Sequence, residues 1–486
     1  MPRQPQEINV HVGGGTFTHV DGNVFDRPTI FLGSGIQALN QVISHGAMHD
    51  SAERDPPPRC HPGTREKATT DIIRWIEEPI PSSSVLWVNG REGVGKSALM
   101  QLIAERGGIY FGGCFFFRRG VPGCNQKESL FSTLAYQLAM NIPGMLEHVE
   151  GVMSKDFSLP KKAADIQLQR LIVEPIRLLP LLPNRRIIII DGLDECEGHE
   201  SQRDILSLVS RVSSDLSVPI RFIIASRPEH QIYSMFNEEP LFSTTRHLVL
   251  DEEYDSDFDI QCYLQDKFGE IHTRNRDIMR QVRHPWPSAC DLSILVFRAS
   301  GQFIYASTVI KFVGSVGGLL SPQEKLNIIL NPGPMQASAF SELDRLYTQI
   351  LSAYGGSEVL VQFLGILLAL EALRLSRNPI CDIDVPGNLQ VIADIAGLEE
   401  DKACLAVRAL QSVAKIHIEP VYDNLDDMQT SGMFGYRVEL SHRSFHDFLR
   451  DEARSGPYFI NPKLFIGRIF CRIFEIATVS IERFKR

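Results

Sequence analysis

Eight consecutive residues, Gly90-Arg91-Glu92-Gly93-Val94-Gly95-Lys96-Ser97, satisfy the pattern G-x-x-x-x-G-K-[ST] at every position. Such glycines let the backbone turn its N–H groups inward as an anion nest, and the nest opens onto a helix N-terminus whose dipole favours negative charge. Lys96 brings a point charge to the outer phosphates of a nucleotide, and the Ser97 hydroxyl is suited to ligate Mg²⁺. A second set follows an apolar run: Asp191, Asp194 and Glu195 after Ile187 to Ile190. Asp191 is the expected direct or second-shell Mg²⁺ partner, and Asp194 and Glu195 can orient or deprotonate a water facing the γ-phosphate. A third group is Arg227, which can stabilise γ-phosphate charge.

These groups need elements that bring them together. Val85 to Asn89 is a short apolar run ending at the first glycine and predicts a buried strand; Ala98 to Glu105 predicts a helix. Four consecutive isoleucines predict a parallel strand covered on both faces, with Asp191 at its carboxyl end, where open α/β sheets bind ligands. Ile220 to Ala225 predicts a third strand that delivers Arg227 to the same crevice, and Gly113 to Phe117 and His247 to Leu250 add two more. Alternating strands and helices imply a parallel sheet with helices on both faces.

The order of these pieces resembles the NACHT family of signalling NTPases within the STAND class. "IIIIDGLDEC" is similar to the family's strand and D-G-x-D-E, and "FIIASRPE" to its sensor segment. The stretches at 49–66, 301–313, 343–351 and 442–455 resemble the NACHT proteins of mushroom-forming fungi. The NTPase region is nephrocystin-3-like, and the resemblance spans residues 45 to 460.

The resemblance implies an ATP- or ADP-binding switch with Mg²⁺ and slow hydrolysis, working in fungal innate immunity or self/non-self recognition. It also implies homo-oligomerisation on activation and an unidentified protein effector. By the same resemblance Arg65, in Gly63 to Glu66, contacts the adenine side. His442 is similarly placed to hold an ADP β-phosphate in an inactive state. Two other classes stay open: a steadily turning-over motor or assembly ATPase, and a scaffold that binds nucleotide without hydrolysis.

The 486 residues leave room for several domains. A glycine-rich segment at 1–35 is expected to be a flexible tail, with a strand-forming tag as the alternative. A helical lead-in and linker takes 36–82, with a helix from Ile36 to Ala47 and another from Lys67 to Glu77. The NTPase core follows at 83–250, then a helical domain at 251–355, a winged-helix-like domain at 356–460 and a helical tail at 461–486.

Within these, Asp251 to Asp259 is expected to be a solvated turn and cap, and Cys290 to Phe312 one helix. A net charge of −10 argues against nucleic-acid binding as the main activity, and no run of eighteen apolar residues supports a membrane span. Nine scattered cysteines without a C-x-x-C pair read as reduced thiols of a cytoplasmic protein.

Overall fold

In the computed structural model the described residues are 33–78, 83–179, 185–215, 218–250, 254, 256–282, 285–315, 320–331, 342–353, 357–375, 389–399, 402–403, 406, 410, 412–422, 430–440 and 443–471. The glycine-rich amino-terminal stretch up to residue 32 and His442 lie outside them.

Five strands form one parallel sheet: β1 (Val85–Asn89), β2 (Phe111–Phe116), β3 (Arg186–Asp191), β4 (Ile220–Ser226) and β5 (Thr245–Val249), in the order β2-β3-β4-β1-β5. The isoleucine run explains the centre. Ile188 and Ile190 join Phe115, Phe222, Ile224, Val85 and Trp87 in the core on one face. Ile187 and Ile189 join Cys114, Phe116, Ile223, Ala225, Leu86 and Val88 on the other. A strand with period-two side chains and two covered faces must be apolar along its middle, and β3 is from Ile187 to Ile190, with Arg186 and Asp191 at its ends. Helices Leu130–Asn141 and His199–Ser213 cover the first face, and Glu66–Glu77 and Lys96–Arg106 the second.

β4 lies between β1 and β3. Whatever follows its carboxyl end therefore stands between the glycine loop after β1 and the acidic turn after β3. Arg221, near the other end of β4, is buried. Its guanidinium stacks 3.6 Å above the Trp75 ring, donates to the carbonyls of Trp75 and Ser83, and pairs with Glu78. A charge at that depth is kept by carbonyls, an acid and an aromatic face together.

Beyond the sheet, helices Ser256–Arg274, Ala289–Ala299, Phe303–Gly314, Pro322–Leu330, Glu342–Ser352 and Ser357–Leu375 precede an antiparallel pair, β6 (Ala414–Tyr422) and β7 (Thr430–Leu440), and a helix at Arg443–Arg450. One continuous core runs from Ile260 through Tyr347 and Phe363 to Val438, Phe445 and Phe448.

The structure corrects three expectations about elements. The acidic run is not wholly a solvated turn, because Ser256 to Asp259 open a helix, and Asp259 accepts the backbone N–H of Arg65 at 3.0 Å. Acids favour a helix's first turn, so the charge pattern fits a helix start as well as a turn. The stretch from Cys290 to Phe312 is two helices and not one. Ser300 and Gly301 both take left-handed backbone, φ 48° and 76°, and end the first helix. The lead-in helix is shorter than expected, at Ser34–Asn40, and a 3₁₀ turn at His45–Ala47 follows it.

Candidate functional site

The loop between β1 and the helix Lys96–Arg106 follows from its glycines. Gly93 and Gly95 have φ of 75° and 95°, conformations that side chains rarely adopt. Gly93 is also sterically fixed from outside. A Cβ there would lie 2.1 Å from Cγ2 of Ile304, and the Ile304 N–H donates to the Gly93 carbonyl at 3.1 Å. The start of helix Phe303–Gly314 thus rests on the tip of the loop.

Lys96 is half-buried, and desolvation holds its ammonium below the ordinary lysine range; Asp194, Asp191 and Glu92 oppose that shift and Arg227 adds to it. Its Nζ donates to the carbonyls of Gly90 and Arg91 at 2.6 and 2.9 Å. The lysine therefore curls back on its own loop.

Asp191 is 3% exposed. Burial pushes its carboxyl up to about 6, against a hydrogen bond from Ser97 and the positive charges of Arg54 and Lys96. Its Oδ1 is buried with no hydrogen-bond partner among the described residues. A hydroxyl bonded to a carboxylate with one buried oxygen unspent is a donor set that fits Mg²⁺, a cation that takes few protein ligands beside phosphate oxygens. Ser97 and Asp191 would hold it.

Asp194 and Arg227 meet as the strand order requires. The Arg227 backbone N–H donates to Asp194 Oδ1 at 3.1 Å, and its Nε lies 3.2 Å from Oδ2. Its Nη2 lies 2.6 Å from Glu92 Oε1 of the loop, an ion pair without hydrogen-bond geometry. Glu195 accepts the Arg119 backbone N–H at 3.0 Å, just beyond the end of β2.

Arg65 is brought to the loop from another direction. It is buried at φ 58°, donates to the Val94 carbonyl at 2.6 Å and stacks 5.1 Å from the Phe303 ring. Its bonds to Val94 and to Asp259 tie the loop's backbone to the helical segment. His61, beside Cys60, bonds Asp266 at 2.9 Å.

The structure adds Arg54, which sequence reasoning missed. Its guanidinium stacks 3.7 Å over Phe116, the residue paired with Asp191 across β2 and β3. It donates to Gln101 at 3.1 Å, one turn beyond Ser97 on the loop's helix. No local pattern marks it, since it precedes an exposed proline run and its contacts are long-range. Arg118, at the end of β2, is bound to the Gly46 carbonyl and to Glu53.

Sheet, loop and acidic strand end together define a P-loop NTPase. Comparison with known proteins agrees at that level. The family model "Nephrocystin 3, N-terminal" matches residues 63–227, about a third of the chain. No curated protein matches the chain.

Among solved structures it is similar to the Aeropyrum pernix ORC2 protein in ADPNP and ADP complexes, at 12% identity over 87% of this chain and 96% of that one, with a TM-score of 0.33. It is also similar to the Aeropyrum pernix ORC1 protein in complex with DNA, at 13% identity, 81% and 92% coverage and a TM-score of 0.33. Cdc6p from Pyrobaculum aerophilum shows 12% identity, 86% and 97% coverage and a TM-score of 0.31. Superpositions this loose say nothing about function. Among the described residues no helix is long and apolar enough to cross a membrane.

Proposed function

We propose that the chain is a cytoplasmic, Mg²⁺-dependent ATP-binding switch of the NACHT and STAND kind, with slow hydrolysis. One observation carries this reading. The phosphate loop is held at Gly93 by Ile304 of the helical region, while its lysine and the Arg227 opposite are bonded to loop atoms. Filling the loop with phosphate must rearrange those bonds, so nucleotide state and the placement of the helical region are coupled.

In this reading Lys96 and the loop N–H groups bind the β- and γ-phosphates. Ser97 and Asp191 hold Mg²⁺, which supplies charge neutralisation across the phosphates. Glu195, with Asp194, positions the attacking water, and Arg227 meets γ-phosphate charge. Arg65 serves through the loop's backbone. His442 keeps the role of a latch to ADP on the strength of the resemblance alone. So do oligomerisation on activation, a protein effector, and a place in fungal immunity or self/non-self recognition.

Nucleotide released by denaturing the freshly purified protein tests the reading. Retained ADP near one per chain, with less than one turnover per minute, is the expected result. Absence of any bound or bindable nucleotide overturns it, and rapid multiple turnover replaces it with the motor.

A further inference from the structure

We infer that Glu92 is an internal stand-in for the γ-phosphate: its carboxylate pairs with Arg227, so that Arg227 discriminates nucleoside triphosphate from diphosphate by exchanging one anion for the other. This rests on the nucleotide-binding reading above and adds a residue that determines its specificity.

The geometry is a chain of charges across the crevice. Arg227 has two carboxylates, Glu92 at 2.6 Å on the loop and Asp194 at 3.2 Å on the acidic turn. They are not equivalent. The Asp194 side chain is 3% exposed and also accepts the Arg227 backbone N–H, which makes it a fixed mount. The Glu92 side chain is 22% exposed and sits on the loop that phosphate must enter. The charges of Asp194, Arg227, Asp191 and Glu92 all act on the Lys96 ammonium.

An arginine can keep one carboxylate on Nε and present its remaining N–H groups to a second anion, because its fork is planar and pre-organised. A third phosphate arriving there competes with Glu92 for those groups. A diphosphate ends at Lys96 and leaves the Arg227–Glu92 pair intact. Glu92 thus weakens triphosphate binding selectively, and its release from Arg227 is the event that reports the γ-phosphate.

The test is equilibrium binding of fluorescent ATP and ADP analogues, with Mg²⁺, to the full chain and to Glu92→Gln, Arg227→Gln and the double variant, each checked for folding by thermal melting. Glu92→Gln is expected to tighten ATP about 10-fold, the lower end of a charge-assisted hydrogen bond for a partly exposed pair, and to change ADP less than about 2-fold. Arg227→Gln weakens ATP alone, and in that background Glu92→Gln has no effect on ATP.

An equal gain for both nucleotides makes Glu92 a general loop charge and overturns the inference. Persistence of the ATP gain without Arg227 also overturns it, because Glu92 then acts on phosphate directly. A wild-type chain that binds neither nucleotide fails the nucleotide reading itself, and the inference with it. A wild-type chain that binds both, with Glu92→Gln indistinguishable from it, fails only the inference.

Discussion

At the scale of single residues the site is a set of charges held inside by one another. Lys96→Ala removes the ammonium assigned above to the phosphates, and charge-assisted bonds of about 1.5–3 kcal/mol each predict an ATP affinity loss of at least about 100-fold. Calorimetry on folded mutant checks this, and unchanged affinity would exclude the loop as the phosphate site. Glu195→Gln keeps the shape and the bond to the Arg119 N–H but loses the basic oxygen. ATP should bind as before while single-turnover hydrolysis slows by about 10²–10⁴. If hydrolysis is unaltered, Asp194 or another group positions the water.

At the scale of elements, the strand ends carry the result. Every loop residue and Asp191 were legible because a glycine pattern or an acid after a wholly apolar strand is a local signal, and β1, β3 and β4 fall within a residue or two of their expected bounds. The insertion of β4 between β1 and β3 was not legible, since strand order is set by long-range pairing. That order is why Arg227 meets both Glu92 and Asp194. Arg54 was missed for a related reason, as its partners Phe116 and Gln101 are distant in sequence. The break at Ser300 and Gly301 was hidden because serine seldom takes φ 48° and the apolar period continues across it.

At the scale of the whole molecule, the C-terminal part is fastened to the helical region by an ion pair as well as by the shared core. Arg454 bonds Asp344 through two nitrogens, at 2.7 and 3.0 Å, and the Asp344 side chain is only 4% exposed. Arg454→Ala leaves a buried carboxylate without its cation. After discounting for the exposed side of the pair, the expected loss is about 2 kcal/mol in denaturant unfolding. Arg454→Met combined with Asp344→Asn should recover much of it. Equal stability of the single mutant and the wild type would reduce the pair to a surface contact.

The contact between Gly93 and Ile304 has a consequence for how this sequence can drift. An alanine at 93 meets two obstacles of different origin: a φ of 75°, costing about 1–2 kcal/mol, and a methyl group 2.1 Å away. Trimming Ile304 to alanine removes the 2.1 Å contact but keeps the Ile304 Cβ at 2.8 Å, so it eases the second obstacle and leaves the first. Gly93→Ala should therefore be less damaging in an Ile304→Ala background than alone, as thermal melting of the four variants would register. Strictly additive losses would deny the linkage. Two positions over two hundred residues apart thereby constrain each other's substitution, and the glycine is fixed by its distant neighbour as well as by the anion.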